Sequence, residues 1–243
     1  MKSQKEYDAK TFPVTRASFS LTRNCNLRCT YPCFTNGCRV GDMPLDVAKK
    51  CVDFLFKNAV EYNEKEVEIS FWGGEPLLRW FLLQEIVLYA EEKSAQTAVR
   101  VSFGGTTNGM LLTPEKFDFL DKHRIFFMVS FDGTKETPDY HRKTKEGFGS
   151  HKIIERNLRA VLKKCPIYRI RMSPFAERIE YFFEDCKSIF DLGCNYLMFS
   201  PVYESNFTEE KWLIWEEQCK KVVDYMKELK DQGRKVEIEH FKS

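Results

Sequence analysis

The residues of this chain best equipped for chemistry are the cysteines of CNLRCTYPCFTNGC, residues 25–38. Four thiols fall within fourteen residues, and Cys25, Cys29 and Cys33 are spaced four apart. Thiolates gathered on a short segment suit a soft metal, either zinc or an iron–sulfur cluster. A closed zinc site wants four ligands, usually in pairs with two residues between them. No CxxC pair occurs here and no histidine lies near, although Cys38 is available as a fourth ligand. A cubane cluster normally takes four cysteines, so three leave one iron open to a substrate or cofactor. The segment is rich in Asn, Arg, Thr, Pro and Gly, which makes it a loop rather than a core strand. Cys51, Cys165, Cys186, Cys194 and Cys219 are isolated and read as small buried hydrophobes.

A second chemical signal is Gly73-Gly74-Glu75-Pro76. Two glycines let a ligand approach the backbone closely. Pro76 suits the first position of a helix, and a helix N-terminus offers unpaired N–H groups to a carboxylate. Glu75 can accept from an ammonium group. TTNG at 106–109 and the SFDG that begins at Ser130 punctuate two further segments. His123, His141, His151 and His240 are scattered, and none has a metal-ligand partner one helical turn away.

These signals must be positioned by elements, and the pattern predicts them. RASFSLT (16–22), EVEISFW (66–72), AVRVSFG (98–104), IFFMVSF (125–131), IYRIRMS (167–173) and NYLMFSPV (195–202) read as strands. The fourth is an almost continuous apolar run, as expected of a strand buried on both faces. Helices are predicted over 44–63, 76–92, 113–122, 150–164, 176–193 and 208–233. Thr113 and Ser150 are expected N-caps, with Asn206 or Thr208 capping the last helix, and Gly193 is an expected stop. In that last helix Trp212 and Trp215 lie on the apolar face and read as core anchors. Alternating strands and helices imply parallel βα units. Either an open doubly wound sheet or a partial barrel fits. In both, ligands gather at the C-terminal ends of the strands, which is where the cysteine loop, GGEP, TTNG and DG fall.

Bulk properties exclude other classes. The chain has 243 residues, 43% hydrophobic and 30% charged, with a net charge of +2. So small an imbalance gives no electrostatic case for nucleic acid or an anionic membrane. No apolar run reaches the roughly 18–20 residues that span a bilayer, and the polar N-terminus is not a secretory signal. A cytoplasmic location follows as the expectation, where a dense cysteine group binds metal or does catalysis rather than forming disulfides.

LTRNCNLRCTYPCF (21–34) resembles the cluster-binding loop of the radical S-adenosylmethionine (radical SAM) superfamily. FWGGEP (71–76), TNG (107–109) and SFDGTKETPDYHR (130–142) are similar to its later motifs. The closest likeness is to the peptide- and protein-modifying branch, which includes peptide maturases and sulfatase-activating enzymes, many with a C-terminal SPASM domain. The resemblance implies a partial (β/α)6 TIM-like barrel of parallel strands over residues 14–205. A short extension (1–13) precedes it, and a helix that begins a further region (206–243) follows.

It also implies a [4Fe–4S] cluster on Cys25, Cys29 and Cys33, with S-adenosylmethionine chelated at the open iron. Reductive cleavage would then give a 5′-deoxyadenosyl radical that abstracts hydrogen from a peptide or protein substrate. Gly73, Gly74, Glu75 and Pro76 would take the methionine end of the cofactor. Asn108, Ser130, Asp132 and Arg142 would hold its polar groups, and Tyr31 would lie near the adenine. A flavodoxin- or ferredoxin-type reductant is implied as partner.

Two departures stand out. The family spacing is CxxxCxxC, whereas this chain has CxxxCxxxC, with Pro32 inserted between Tyr31 and Cys33. Proline removes an N–H and restricts Tyr31 to extended geometry. Pro138 also stands where the family often has histidine. The longer loop keeps open a non-catalytic binding or scaffold protein on the same fold. A simple electron carrier is disfavoured by GGEP. KVEIEHFKS (235–243) reads as a strand cut off in passing, which favours a fragment lacking the auxiliary-cluster region.

Overall fold

The computed structural model describes residues 12–31, 41–165 and 168–241. Seven strands form one all-parallel sheet: β1 (Arg16–Thr22), β3 (Glu66–Gly73), β4 (Arg100–Thr107), β5 (Ile125–Ser130), β7 (Arg169–Met172), β8 (Tyr196–Phe199) and β9 (Glu237–Ile238), in that spatial order. The first six are the predicted strands, several shortened at their ends. The seventh is the KVEIE segment, which adds to the sheet edge beside β8. The crossovers carry α1 (Leu45–Glu61), α2 (Trp80–Thr97), α3 (Pro114–Lys122), α5 (His151–Lys164), α6 (Phe182–Asp191) and α7 (Glu209–Asp231). Neither β1 nor β9 has a second neighbour among the described residues, so the sheet is an unclosed barrel.

Period-2 patterning explains how helices and sheet meet. Phe19, Leu21, Ile69, Phe71, Phe127 and Val129 are fully buried and join the helices in one core. Phe71 stacks between Phe103 and Phe127, at 6.2 and 6.3 Å. Residues of the opposite parity, such as Ser18, Ser70, Met128 and Met198, are exposed or half-buried. The expectation that β5 is buried on both faces is therefore corrected: Phe126 is 60% exposed. Among the described residues no second layer lies over the inner face of the open barrel, so only one parity is covered.

Local chemistry sets most helix boundaries. Thr113 and Thr208 cap α3 and α7, accepting from Lys116 N and Lys211 N. Gly193 follows α6 at φ +99°, the expected stop. The predicted helices over 76–92 and 176–193 both begin with a 3-10 turn, Pro76–Arg79 and Ala176–Tyr181. Ser150 does not cap α5 with its side chain; Asp139 does so instead, accepting from His151 N at 2.8 Å. Trp212 is also corrected: it is 43% exposed, while Trp215 is buried.

Three elements escaped the pattern: β2 (Leu27–Cys29), α4 (Glu136–His141) and β6 (Arg142–Thr144). They position the cysteines. β2 pairs antiparallel with β6, placing Cys29 opposite Arg142. Thr30 N donates to His141 O at 2.9 Å.

Candidate functional site

A cleft of about 530 Å³ opens at the C-terminal ends of the strands. Its size is that of a small-molecule site. Cys25 enters it from the loop after β1 and Cys29 from the end of β2, Gly73 and Gly74 from the end of β3, and Asn108 from just past β4. Ser130 ends β5, and Arg142 and Tyr31 complete the set predicted from sequence. Cys33, with Pro32, lies outside the described residues. Among the described residues no three His, Cys, Asp or Glu side chains converge as a metal site.

The cysteine loop is sewn to the GGEP turn by backbone. Gly74 N donates to Thr22 O at 2.8 Å and Glu75 N to Asn24 O at 2.9 Å. A Cβ on Gly74 would lie 2.3 Å from Asn24 O, so only glycine allows this approach. The thiol of Cys25 receives two N–H donors, Leu27 N at 3.4 Å and Asn108 Nδ2 at 3.6 Å. Burial pushes that thiol up to about 11, against the Leu27 hydrogen bond. A thiol sulfur is only a weak acceptor, and two N–H donors aimed at it suit a thiolate held by a metal, whose outer partners orient and tune it. The Thr106 hydroxyl is buried at the cleft wall with no partner. Two thiols, aimed donors and an orphaned hydroxyl together fit a metal cluster with a polar cofactor beside it.

Three predicted site residues do not line the cleft. Glu75 is fully buried. Its carboxylate accepts from Leu77 N (3.0 Å), Thr107 Oγ1 (2.8 Å) and Asn108 N (2.7 Å). Burial pushes its pKa up, and those three donors pull it back. In this structure Glu75 caps one turn and ties the end of β3 to the end of β4. Pro76 is buried at the start of that turn.

Asp132 lies behind Arg142. Arg142 Nε donates to Asp132 Oδ2 at 2.5 Å and Nη2 to Oδ1 at 3.1 Å, and Ser173 N also donates to Oδ1, at 2.8 Å. The Arg142 guanidinium sits 5.3 Å from the Tyr31 ring centroid, and burial holds the Tyr31 phenol above its usual pKa. His141 stacks on Phe175 at 3.4 Å and meets the Thr30 hydroxyl at 2.8 Å. Burial lowers its pKa to about 4, which keeps the imidazole neutral.

Sequence reasoning missed Trp72, Thr106, Arg171 and the loop 200–204 as cleft residues. A signal for Arg171 existed. Arg169 and Arg171 alternate within a predicted strand, so the face they share cannot be a dry core.

A one-layered parallel α/β sheet with a thiol-bearing cleft at its strand ends defines a class of cofactor-dependent partial-barrel proteins. Residues 19–173 match the family model of the radical SAM superfamily, and the chain belongs to that superfamily. The family's cofactors are a [4Fe–4S] cluster and S-adenosylmethionine.

The chain is 26% identical over 190 residues to the radical SAM cyclopropyl synthase TigE of Paramaledivibacter caminithermalis, covering 72% of this chain and 38% of that protein. It is 28% identical over 154 residues to a cysteine-type anaerobic sulfatase-maturating enzyme of Clostridium novyi, covering 60% and 40%. The solved structure of native anSMEcpe with bound AdoMet and Kp18Cys peptide superposes with a TM-score of 0.79 at 20% identity, over 93% of this chain and 64% of that one. The fold is therefore the partial barrel of these proteins, and the chain spans about two fifths of the length of the curated relatives just named. No helix of the described residues is long and apolar enough to cross a membrane.

Proposed function

We propose that this chain carries the catalytic core of a radical SAM enzyme, centred on residues 14–205, that modifies a peptide or protein in a reducing, cytoplasmic compartment. One observation carries the reading. Cys25 and Cys29, with two N–H donors aimed at the Cys25 sulfur, share a cleft with Gly73, Gly74, Asn108, Ser130 and Arg142 at the strand ends. Cys25, Cys29 and Cys33 would hold the cluster. Gly73 and Gly74 would admit the amino-acid end of the cofactor against their backbone, and Asn108, Ser130 and Tyr31 would contact its polar and aromatic parts. Glu75 and Asp132 act one step back, Glu75 fixing the turn and Asp132 fixing Arg142. When bound, the cluster and S-adenosylmethionine supply one-electron cleavage of the sulfonium and hydrogen abstraction from the substrate. The half-enclosed cleft walls then orient the cofactor and exclude water.

The peptide substrate is supported by the company the chain keeps. Relatives include sulfatase-maturating enzymes, and a structural neighbour, Streptococcus suis SuiB, is solved bound to its precursor peptide SuiA. A flavodoxin- or ferredoxin-type donor would supply the electron.

The test is anaerobic reconstitution with iron and sulfide, then reduction with S-adenosylmethionine. We expect a [4Fe–4S] absorbance band and 5′-deoxyadenosine, both lost in C25S and C29S and both kept in C51S. Wild-type protein that assembles no cluster would refute the enzyme and favour the non-catalytic alternative. If deleting Pro32 raised cofactor cleavage sharply, the native loop would be an impaired one.

A further inference from the structure

Negative charge on the Cys25 sulfur is opposed by its charged neighbours, Glu75 and Cys29. The cations nearby are turned elsewhere. Arg142 is paired with Asp132 and stands opposite Cys29, and Lys116 acts on Glu75. Cys25 is 7% exposed, so little water reaches it. What favours charge at that sulfur is two N–H groups, Leu27 N at 3.4 Å and Asn108 Nδ2 at 3.6 Å. The first is backbone. The second is a side chain held from several sides. Asn108 is 8% exposed and follows directly on β4. Its backbone N donates to Glu75 Oε2 at 2.7 Å, which ties it to the GGEP turn. Its Oδ1 accepts from Met110 N at 3.0 Å, and that bond fixes which end of the amide is nitrogen. Its Nδ2 donates to Asn26 Oδ1 at 2.7 Å and carries a second hydrogen for the Cys25 sulfur.

We propose that Asn108 sets the reduction potential of the cluster through its hydrogen bond to the Cys25 sulfur, making the cluster easier to reduce. One-electron reduction adds one negative charge to the iron, sulfide and thiolates together. The electron comes from the flavodoxin- or ferredoxin-type donor, and no bond is made or broken at Asn108. An N–H dipole aimed at a ligand sulfur stabilises the added charge, and hydrogen bonds to sulfur are one of the protein's levers on cluster potential. Burial strengthens the effect, because a low-dielectric site screens the dipole less than water does. This role rests on the radical SAM reading above and deepens it. The second lone pair of Asn108 Oδ1 stays free for the cofactor's polar parts, so the two roles do not compete.

The experiment reads the potential rather than turnover. Wild type, N108D and N108A are reconstituted anaerobically with iron and sulfide. The electron paramagnetic resonance signal of the reduced cluster is then titrated against solution potential, without S-adenosylmethionine. N108D keeps the size and the acceptor for Met110 N but puts an oxygen where the donor was. We expect its equilibrium constant for reduction to fall at least tenfold, about 59 mV for one electron. N108A removes the donor without adding charge and should shift the same way, by about threefold or more. Iron content per chain should stay at the wild-type value. If Asn108 only braces the loop, iron retention falls while the clusters that remain keep the wild-type potential, and the proposal is overturned. A shift in N108D alone is the field of its added carboxylate and overturns it too. N108S takes the place of a variant that does not fold, as judged by its melting curve. Wild type that assembles no cluster overturns the enzyme reading and this inference together. A wild-type cluster that forms, with a potential that N108A leaves in place, overturns this inference alone.

Discussion

Replacing Asp132 by asparagine removes one charge from the pair that anchors Arg142. The two side chains are 1% and 4% exposed, so water screens neither. The carboxylate accepts three hydrogen bonds, two from Arg142 and one from Ser173 N. Breaking a buried pair from one side leaves the other charge uncompensated and costs about 3–5 kcal/mol. Asparagine keeps one acceptor oxygen, so the lower end, about 3 kcal/mol, is expected for D132N. At this chain length each kcal/mol moves Tm by roughly 2–4 °C, which predicts a fall of roughly 6–12 °C.

The damage is not confined to one spot. Arg142 opens β6, which holds Cys29 in register, so D132N should also lower iron retention. The double variant D132N/R142M removes the stranded cation while keeping the acceptor for Ser173 N. It should recover most of the lost stability, a coupling that a double-mutant cycle reads directly. The assay is urea unfolding of D132N, R142M, D132N/R142M and wild type. A D132N unfolding free energy within about 1 kcal/mol of wild type, or a double variant no better than D132N, would refute the reasoning.

Asp185 gives a pH dependence. Burial pushes its carboxyl up to about 7 from the ordinary 3.8, against hydrogen bonds from Thr134 and Thr137. Its folded pKa lies above the unfolded one, so its stabilising contribution is complete below about pH 4 and is lost as pH rises through about 7. D185N should flatten the stability profile in that window by on the order of 1 kcal/mol per pH unit, measured by urea unfolding across pH; an unchanged slope contradicts it. The one-sided sheet predicts opposite outcomes for neighbours: F127A should cost about 3–5 kcal/mol and F126S less than about 1 kcal/mol, by the same unfolding assay. G74A should push on the backbone of Asn24, cutting cofactor affinity roughly tenfold, or about 1.4 kcal/mol; iron content per chain and equilibrium dialysis check it.

Much of this protein was legible because its signals are local. The six main strands and their helices follow from period-2 and period-3.6 patterning, and Thr113-Pro114, Thr208 and Gly193 punctuate them as their chemistry requires. The sequence by itself also determined which strand ends carry thiols, glycines and polar groups, since order along a βα chain fixes which end of the sheet each loop reaches. What it did not determine was which polar groups spend themselves on one another. Glu75 and Asp132 look like ligands in one dimension; in three they are consumed by Thr107, Asn108 and Arg142. Pairing of β2 with β6 joins residues more than a hundred apart, and three-residue strands carry no period to detect. The open inner face was likewise a tertiary outcome. Whether Phe126 meets core or water depends on whether another layer covers it, and no property of IFFMVSF encodes that layer.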